Sequence, residues 1–552
     1  MRTSSLIVLA ATVVLAALGQ PQMVIQRALR FEHLRNDGNA YLDADLDTEI
    51  FHNQGQYSAR YTVSSELPDD LPAGCEVTLV NSLERHGSRY MTSGSLKQAQ
   101  ATLAKMRAAL TAQRVNVEKL PHDLRFLANA TVLSNTADLV PYGALQSYLS
   151  GRYTAQRYSH LAKSSNESVF IRTTGTGNSD RVIVTAKYWS LGFSGSTFPS
   201  ESLVDGTTTR DSPAIAGHEP NVIISEAFGQ NNTLGVSTCT ADDYYNDSYG
   251  EDGAIAEYGN STLVPRIGKR LAVVFAEAGA SINFTTSDVM SIGSLCAFET
   301  LDTANVTDGG RLELSVSPFC NVFEKKEWQL YGYGVDVGKY YGSGYGDPYH
   351  RGIATGYLRE LLARLTSTPV VIGSPSAINT TIDAVGAATF PIPSNTSKIS
   401  GPRIFFDGSH DNNVSPIAAA FGLFSSSHNL STRADAESSQ VGKDRQWRFS
   451  RIAPLQGKIV WEKIQCHAAT ASSHKGHRDA SDKSTNRSKE FFLRVRANEA
   501  VQKAKGSQWC PSASSLTRAS SRYLERGLCP LDNVIRSLEW VKSGDEWAKC
   551  FA

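Results

Sequence analysis

The chain has 552 residues, room for roughly two to four domains, and the composition of an ordinary globular protein. Lys+Arg and Asp+Glu both number 54, so no cationic excess points to nucleic acid or to a membrane surface as partner.

Taken in chain order, Arg2 precedes an apolar run over residues 6–18 that ends in small residues. That order is a signal peptide spanning residues 1–19, too short for a membrane span. Residues 20–50 are polar and weakly patterned and read as a loose arm. Turn signals at Pro68 and over residues 71–74 lead into a strand over 77–83. Leu96, Leu103, Met106 and Leu110 then recur at helical spacing. Residues 169–172 and 222–225 read as short buried strands, and residues 286–365 as mainly helical, with a Gly/Tyr-rich loop over 339–346. Residues 404–406 form another strand running into G-S-H-D-N at 408–412, and Ser415-Pro416 open the next helix. Residues 467–490, rich in Ser, His and Lys and without apolar periodicity, read as a disordered surface insertion. Its His467, His474 and His477 have the spacing of no standard metal site.

Strands alternating with helices predict an α/β sheet, and the long helical middle predicts an inserted α domain. Residues 51–100, 166–226 and 390–552 would form the α/β domain, and 101–165 and 227–389 the mainly helical one. About a dozen N-x-[ST] sequons, Asn129 and Asn231 among them, fit a glycosylated, secreted chain. The eight cysteines include no C-x-x-C pair, which disfavours zinc and thioredoxin chemistry and favours four disulfides whose pairing the spacing leaves open.

The chemistry concentrates in Arg85-His86-Gly87-Ser88-Arg89. Glycine lets the backbone turn tightly and approach a ligand. Two guanidiniums are permanent forks for phosphate or carboxylate oxygens. A histidine between them is kept neutral, and a neutral imidazole can attack phosphorus. The competing reading is an exposed basic turn with ion pairs to Glu84 or elsewhere. Phosphoryl transfer also needs an acid for the leaving alcohol, and Ser409-His410-Asp411-Asn412 offers one. There His410 would add a donor to the phosphate and Asp411 would protonate the departing oxygen.

This combination resembles the histidine acid phosphatases, and more closely their fungal phytase branch. The likeness covers most of the chain after residue 50. It takes in G-Q-Y-S at 55–58, P-A-G-C at 72–75, R-H-G-S-R itself, L-V-P-Y-G at 139–143, and F-I-R-T-T then S-D-R-V across 170–182. It continues through N-N-T-L-G-V-S-T-C-T at 231–240, S-P-F-C at 317–320, G-K-Y-Y-G, A-T-F-P, S-H-D-N and the closing S-G-D-E-W-A-K-C-F-A. The resemblance implies a histidine-phosphatase α/β sandwich, of phosphoglycerate-mutase-like type, with an inserted helical domain and the active site between them. It implies His86 as nucleophile, Asp411 as proton donor, and Arg85, Arg89, Arg172 and His410 as the phosphate clamp. Arg172 depends wholly on the matching F-I-R segment, because an arginine on a short strand is more often a structural ion pair. The implied disulfides are Cys75–Cys466, Cys239–Cys550, Cys296–Cys320 and Cys510–Cys529. No metal or organic cofactor is expected.

The chain departs from the family where Tyr90-Met91 replaces an aromatic residue and proline, and where the N-terminal cysteine pair common among the phytases is missing. Phytate is a crowded polyanion that phytases meet with lysines, a part Lys339 and Lys97 would take here, with Tyr57 also lining the pocket. The expectation is therefore a secreted, monomeric phosphomonoesterase, acting on phytate or on simpler phosphomonoesters. A catalytically inactive glycoprotein of the same fold is the alternative from another class, and the signal peptide and disulfides argue against a cytosolic mutase.

Overall fold

The computed structural model describes residues 27–28 and 46–552, apart from 133–136, 163–168, 176–179, 200–209, 228, 236–238, 308–310, 381–389, 394–400, 436, 443–444, 468–488 and 512–521. The expected signal peptide and most of the arm lie outside the described residues. Arg27 and Ala28 of the arm pair antiparallel with Leu314 and Glu313. No helix among the described residues is long and apolar enough to cross a membrane.

A mixed sheet organises the chain. Its strands are β1 (Cys75–Arg85), β2 (Val169–Thr174), β3 (Val222–Ile224), β4 (Ile404–Ser409), β5 (Lys458–His467), β6 (Lys489–Ala497), β7 (Ala500–Val501) and β8 (Leu528–Pro530). They run in the order β7-β6-β5-β1-β4-β2-β3, with β8 also on β6. β1, β4, β2 and β3 are mutually parallel, and β5 joins β1 antiparallel. Parallel strands are covered on both faces, which is why Ile404, Phe405 and Phe406 are all fully buried. Successive side chains point to opposite faces. Phe406 meets Trp189 of helix α3 (Asp180–Phe193), while Phe405 lies under Arg364 of α7 (His350–Thr366).

Helices α1 (Ser93–Leu110), α2 (Pro141–Arg157), α4 (Glu251–Tyr258), α5 (Thr286–Asp302) and α6 (Lys325–Ser343) precede α7, and α8 (Asp411–Phe421) follows β4. Although the sequence groups α2 with the helical unit, it packs along α3, where Gly151 faces the Trp189 carbonyl and Gly192 that of Tyr148 too closely for any Cβ. Two expected boundaries move for physical reasons. The predicted loop at Lys339 is the last turns of α6, because Gly338 and Gly342 let that helix lie against Ile255 and Glu251. The helix expected to open at Ser415 begins at Asp411, and carries Pro416 inside it at the loss of one backbone hydrogen bond.

The four disulfides join Cys75–Cys466, Cys239–Cys550, Cys296–Cys320 and Cys510–Cys529. Cys75 and Cys466 are register partners of β1 and β5. The predicted insertion is narrower than expected, since β5 and β6 pair as far as His467 and Lys489. Residues 468–488, with His474 and His477, lie outside the described residues.

Candidate active site

Ligands bind beyond the carboxyl ends of parallel strands, and here β1 and β4 end side by side, Arg85 opposite Ser409. His86 leaves β1 with its N–H on the Ser409 carbonyl, and its own carbonyl accepts from Gln456. The imidazole is buried, and Nδ1 lies 2.8 Å from the Gly87 carbonyl oxygen. A carbonyl only accepts, so Nδ1 carries the proton and Nε2 presents its lone pair. Burial, then Arg181, Arg85, His410 and Arg89, hold the His86 pKa well below the ordinary histidine value.

Gly87 is required, though not for a turn. A Cβ there would stand 2.5 Å from the Gly143 carbonyl oxygen, and one on Gly143 would collide with Ser88. The loop is thus pressed onto the start of α2, with Gly87 N–H donating to Thr185 Oγ1 (3.0 Å) and Ser88 N–H to Gln146 Oε1 (2.9 Å). Glu84, the partner expected of an idle basic turn, instead accepts from Ser82 and Ser150 at 2.8 Å each.

Arg85 is held by the carbonyls of Gln56 and Ala453, and its Nη2 lies 3.2 Å from Asp411 Oδ1. Gln56 sits in G-Q-Y-S, where Gly55 has φ +57° and lies hard against Val335. Tyr57 packs its ring 4.6 Å from Phe298, over which the Arg89 guanidinium also lies, at 5.7 Å. Arg89 donates to the Tyr90 carbonyl (2.7 Å). His410 meets His86 edge to face, ring centroids 5.4 Å apart. Asp411, the first residue of α8, has Lys339 Nζ 3.7 Å from its other oxygen. Burial would push the Asp411 carboxyl up, but Arg85, Lys339 and Arg89 outweigh it and hold its pKa below the ordinary aspartate value.

Arg172 does not join this group. It lies within β2, in register with Asp407, and its Nε bonds Asp407 (2.9 Å) while Nη2 bonds Glu360 (2.7 Å), all three fully buried. It is a structural ion pair that ties the sheet to α7. The arginine beside His86 is Arg181, in the first turn of α3, with Nη2 3.5 Å from His410 Nδ1. In the sequence Arg181 lies within S-D-R-V, where nothing local marks it for a role. Its position just past the end of β2 was the available signal. Glu226, also missed, follows β3 and lies 2.8 Å from His410 Nε2.

Lys339 is no free pocket cation. It is buried, with Glu251 and Asn412 each 2.8 Å from Nζ, while Lys97 is exposed on α1. The Nε atoms of Arg85, Arg89 and Arg181 are buried without a hydrogen-bond partner. Three guanidiniums with donors to spare around a neutral imidazole suit an anion. No group of three or more metal-ligating side chains occurs among the described residues.

An α/β sheet that sets an arginine-flanked neutral histidine beside a second histidine and an aspartate defines a histidine phosphatase. The chain belongs to the histidine phosphatase superfamily, branch 2, whose model matches residues 76–498. It is 30% identical to Phytase A of Aspergillus awamori over 508 residues, 92% of this chain and 91% of that one. With Phytase A of Aspergillus oryzae it shares 31% over 505 residues, 91% of each. The fold is that of the phytase from D. castellii, with a TM-score of 0.57 at 18% identity over 93% of this chain and 91% of that one.

Proposed function

We propose that the chain is a secreted phosphomonoesterase that removes phosphate from phytate through a phosphohistidine. The observation that carries this reading is His86, neutral, with Nε2 unprotonated and Arg85, Arg89 and Arg181 around it. His86 Nε2 attacks phosphorus and the P–O bond to the alcohol breaks, while the arginines stabilise charge on the remaining phosphoryl oxygens. Asp411 gives its proton to the leaving oxygen. Water then attacks the phosphohistidine, Asp411 takes a proton from it, and inorganic phosphate leaves.

Beside Arg85, Asp411 is a carboxylate. A phosphate oxyanion that engages Arg85 offsets that cation and brings negative charge close, and both effects raise the carboxyl's pKa. Acid solution supplies the proton, so activity belongs to acidic pH. Phytate as the substrate is supported by the relatives named Phytase A. A second reading, a broad phosphatase of simple monoesters, is favoured by the engagement of Lys339 with Glu251 and Asn412. Comparing kcat/KM on phytate and on 4-nitrophenyl phosphate separates the two: preference for phytate supports the first reading, and little or no turnover of phytate supports the second.

A further inference from the structure

Glu226 Oε1 lies 2.8 Å from His410 Nε2 and 2.9 Å from Thr174 Oγ1. The direction of each bond can be read from groups whose roles are fixed. Leu234 N–H donates to Asn232 Oδ1 (2.9 Å), so Asn232 presents its Nδ2 to Thr174 Oγ1 (2.7 Å). Thr174 therefore accepts from Asn232 and donates its own proton to Glu226. At the other end Arg181 Nη2, which can only donate, stands 3.5 Å from His410 Nδ1. Both ring nitrogens of His410 are thus engaged, Nδ1 as acceptor and Nε2–H as donor to the carboxylate, so, against the expectation from the sequence, the ring keeps no donor for a phosphate oxygen.

We propose that Glu226 is a positioning residue of the phosphoryl-transfer site: it fixes His410 as the Nε2–H tautomer and, through Nδ1, steadies Arg181 beside His86. The proposal rests on the reading of this site as a phosphatase centre. It also gives a role to the short strand β3, which ends two residues before Glu226, and to Asn232 in the N-N-T-L-G segment. The same contacts keep Glu226 ionised. Burial opposes its charge, but the bonds from His410 and Thr174 prevail and hold its pKa below the ordinary glutamate value.

The test uses the full chain with Glu226→Ala, Glu226→Gln, His410→Ala and the Glu226→Ala/His410→Ala double variant, assayed on 4-nitrophenyl phosphate. Glu226→Ala is expected to lower kcat/KM roughly 10- to 100-fold, the span of a charge-assisted hydrogen bond. Glu226→Gln, which keeps the acceptor, is expected to stay within about threefold of wild type, well inside the span of that lost bond. On the His410→Ala background most of the Glu226→Ala loss disappears, because Glu226 acts chiefly through the ring, its charge also bearing on Arg181 directly. Imidazole 15N shifts of histidine-labelled protein show His410 as the Nε2–H tautomer in wild type and as a mixture in Glu226→Ala. Wild-type kcat/KM in Glu226→Ala, or an undiminished loss on the His410→Ala background, would overturn the proposal. If Glu226→Ala does not fold, the wild-type spectrum decides alone, and a Nδ1–H tautomer overturns it. An active wild type with a dead His86→Ala leaves the phosphatase reading intact whatever Glu226 does. Equal turnover by those two proteins removes that reading and this proposal with it.

Discussion

Arg85 Nη2 and Asp411 Oδ1 stand 3.2 Å apart, joining the last residue of β1 to the first residue of α8. The proposed phosphate ligand and the proposed proton donor thus hold one another until a substrate divides them. The pair explains how a carboxyl with a depressed pKa can serve as an acid: the anion that needs the proton also offsets the cation that withheld it.

Asp411→Asn should separate substrates by leaving group. An inositol or alkyl phosphate needs the acid and should lose roughly 10²- to 10⁴-fold in kcat. A 4-nitrophenyl ester, whose phenolate departs unaided, should lose far less. Equal losses on the two would remove Asp411 from the donor role.

Arg172, within β2, and Arg181, after it, should fail in opposite ways. Arg181→Ala should keep its Tm and lose roughly 10²- to 10³-fold in kcat/KM, the effect of removing one charge-stabilising donor. Arg172→Ala leaves Asp407 and Glu360 buried with a cation missing, and should destabilise the fold by about 3–5 kcal/mol in denaturant unfolding. A stable, inactive Arg172→Ala would restore that residue to the phosphate clamp.

Lys339 should tune Asp411 and not grip the substrate. Lys339→Gln keeps a side chain able to bond Asn412 and removes a charge 3.7 Å from Asp411. The Asp411 pKa then rises, and the alkaline limb of the kcat–pH profile should move to higher pH. A rise in KM for phytate with an unmoved limb would mark Lys339 as a substrate contact.

Asp242 and Asp347 make stability depend on pH. Burial, then the charge of Asp243, pushes Asp242 up to about 7, and burial, then Asp242, pushes Asp347 up to about 8. Unfolded aspartates titrate near pH ~4. Between that pH and about 8 the folded state binds the extra protons, so stability falls as pH rises. Asp347→Asn should therefore match wild type in Tm near pH ~4, where unfolded aspartates titrate, and exceed it at pH 8. Parallel Tm curves would contradict this.

Much of the site was legible because its parts are local. R-H-G-S-R holds nucleophile and clamp within five residues, and S-H-D-N holds the second histidine and the acid. What escaped depends on register and packing. Arg172 and Arg181 both follow the same apolar run, and only strand pairing places the first opposite Asp407 and the second past the sheet's edge. Glu226 is a single carboxylate after a three-residue strand, with nothing local to mark it. Lys339 looked free because the glycines that bury its helix against Glu251 also read as a loop. The strands themselves were found short, since β1 extends to the buried Arg85 and β4 to Ser409, where polar residues interrupt the apolar pattern.

The most direct test of the central claim is to trap the intermediate. Wild type and His86→Ala, mixed with a 32P-labelled phosphomonoester and quenched in alkali, should differ completely. The account predicts one base-stable, acid-labile phosphate per wild-type chain and none on the variant, together with loss of phosphate release. Label retained at wild-type level on His86→Ala, or undiminished turnover by it, would contradict the account.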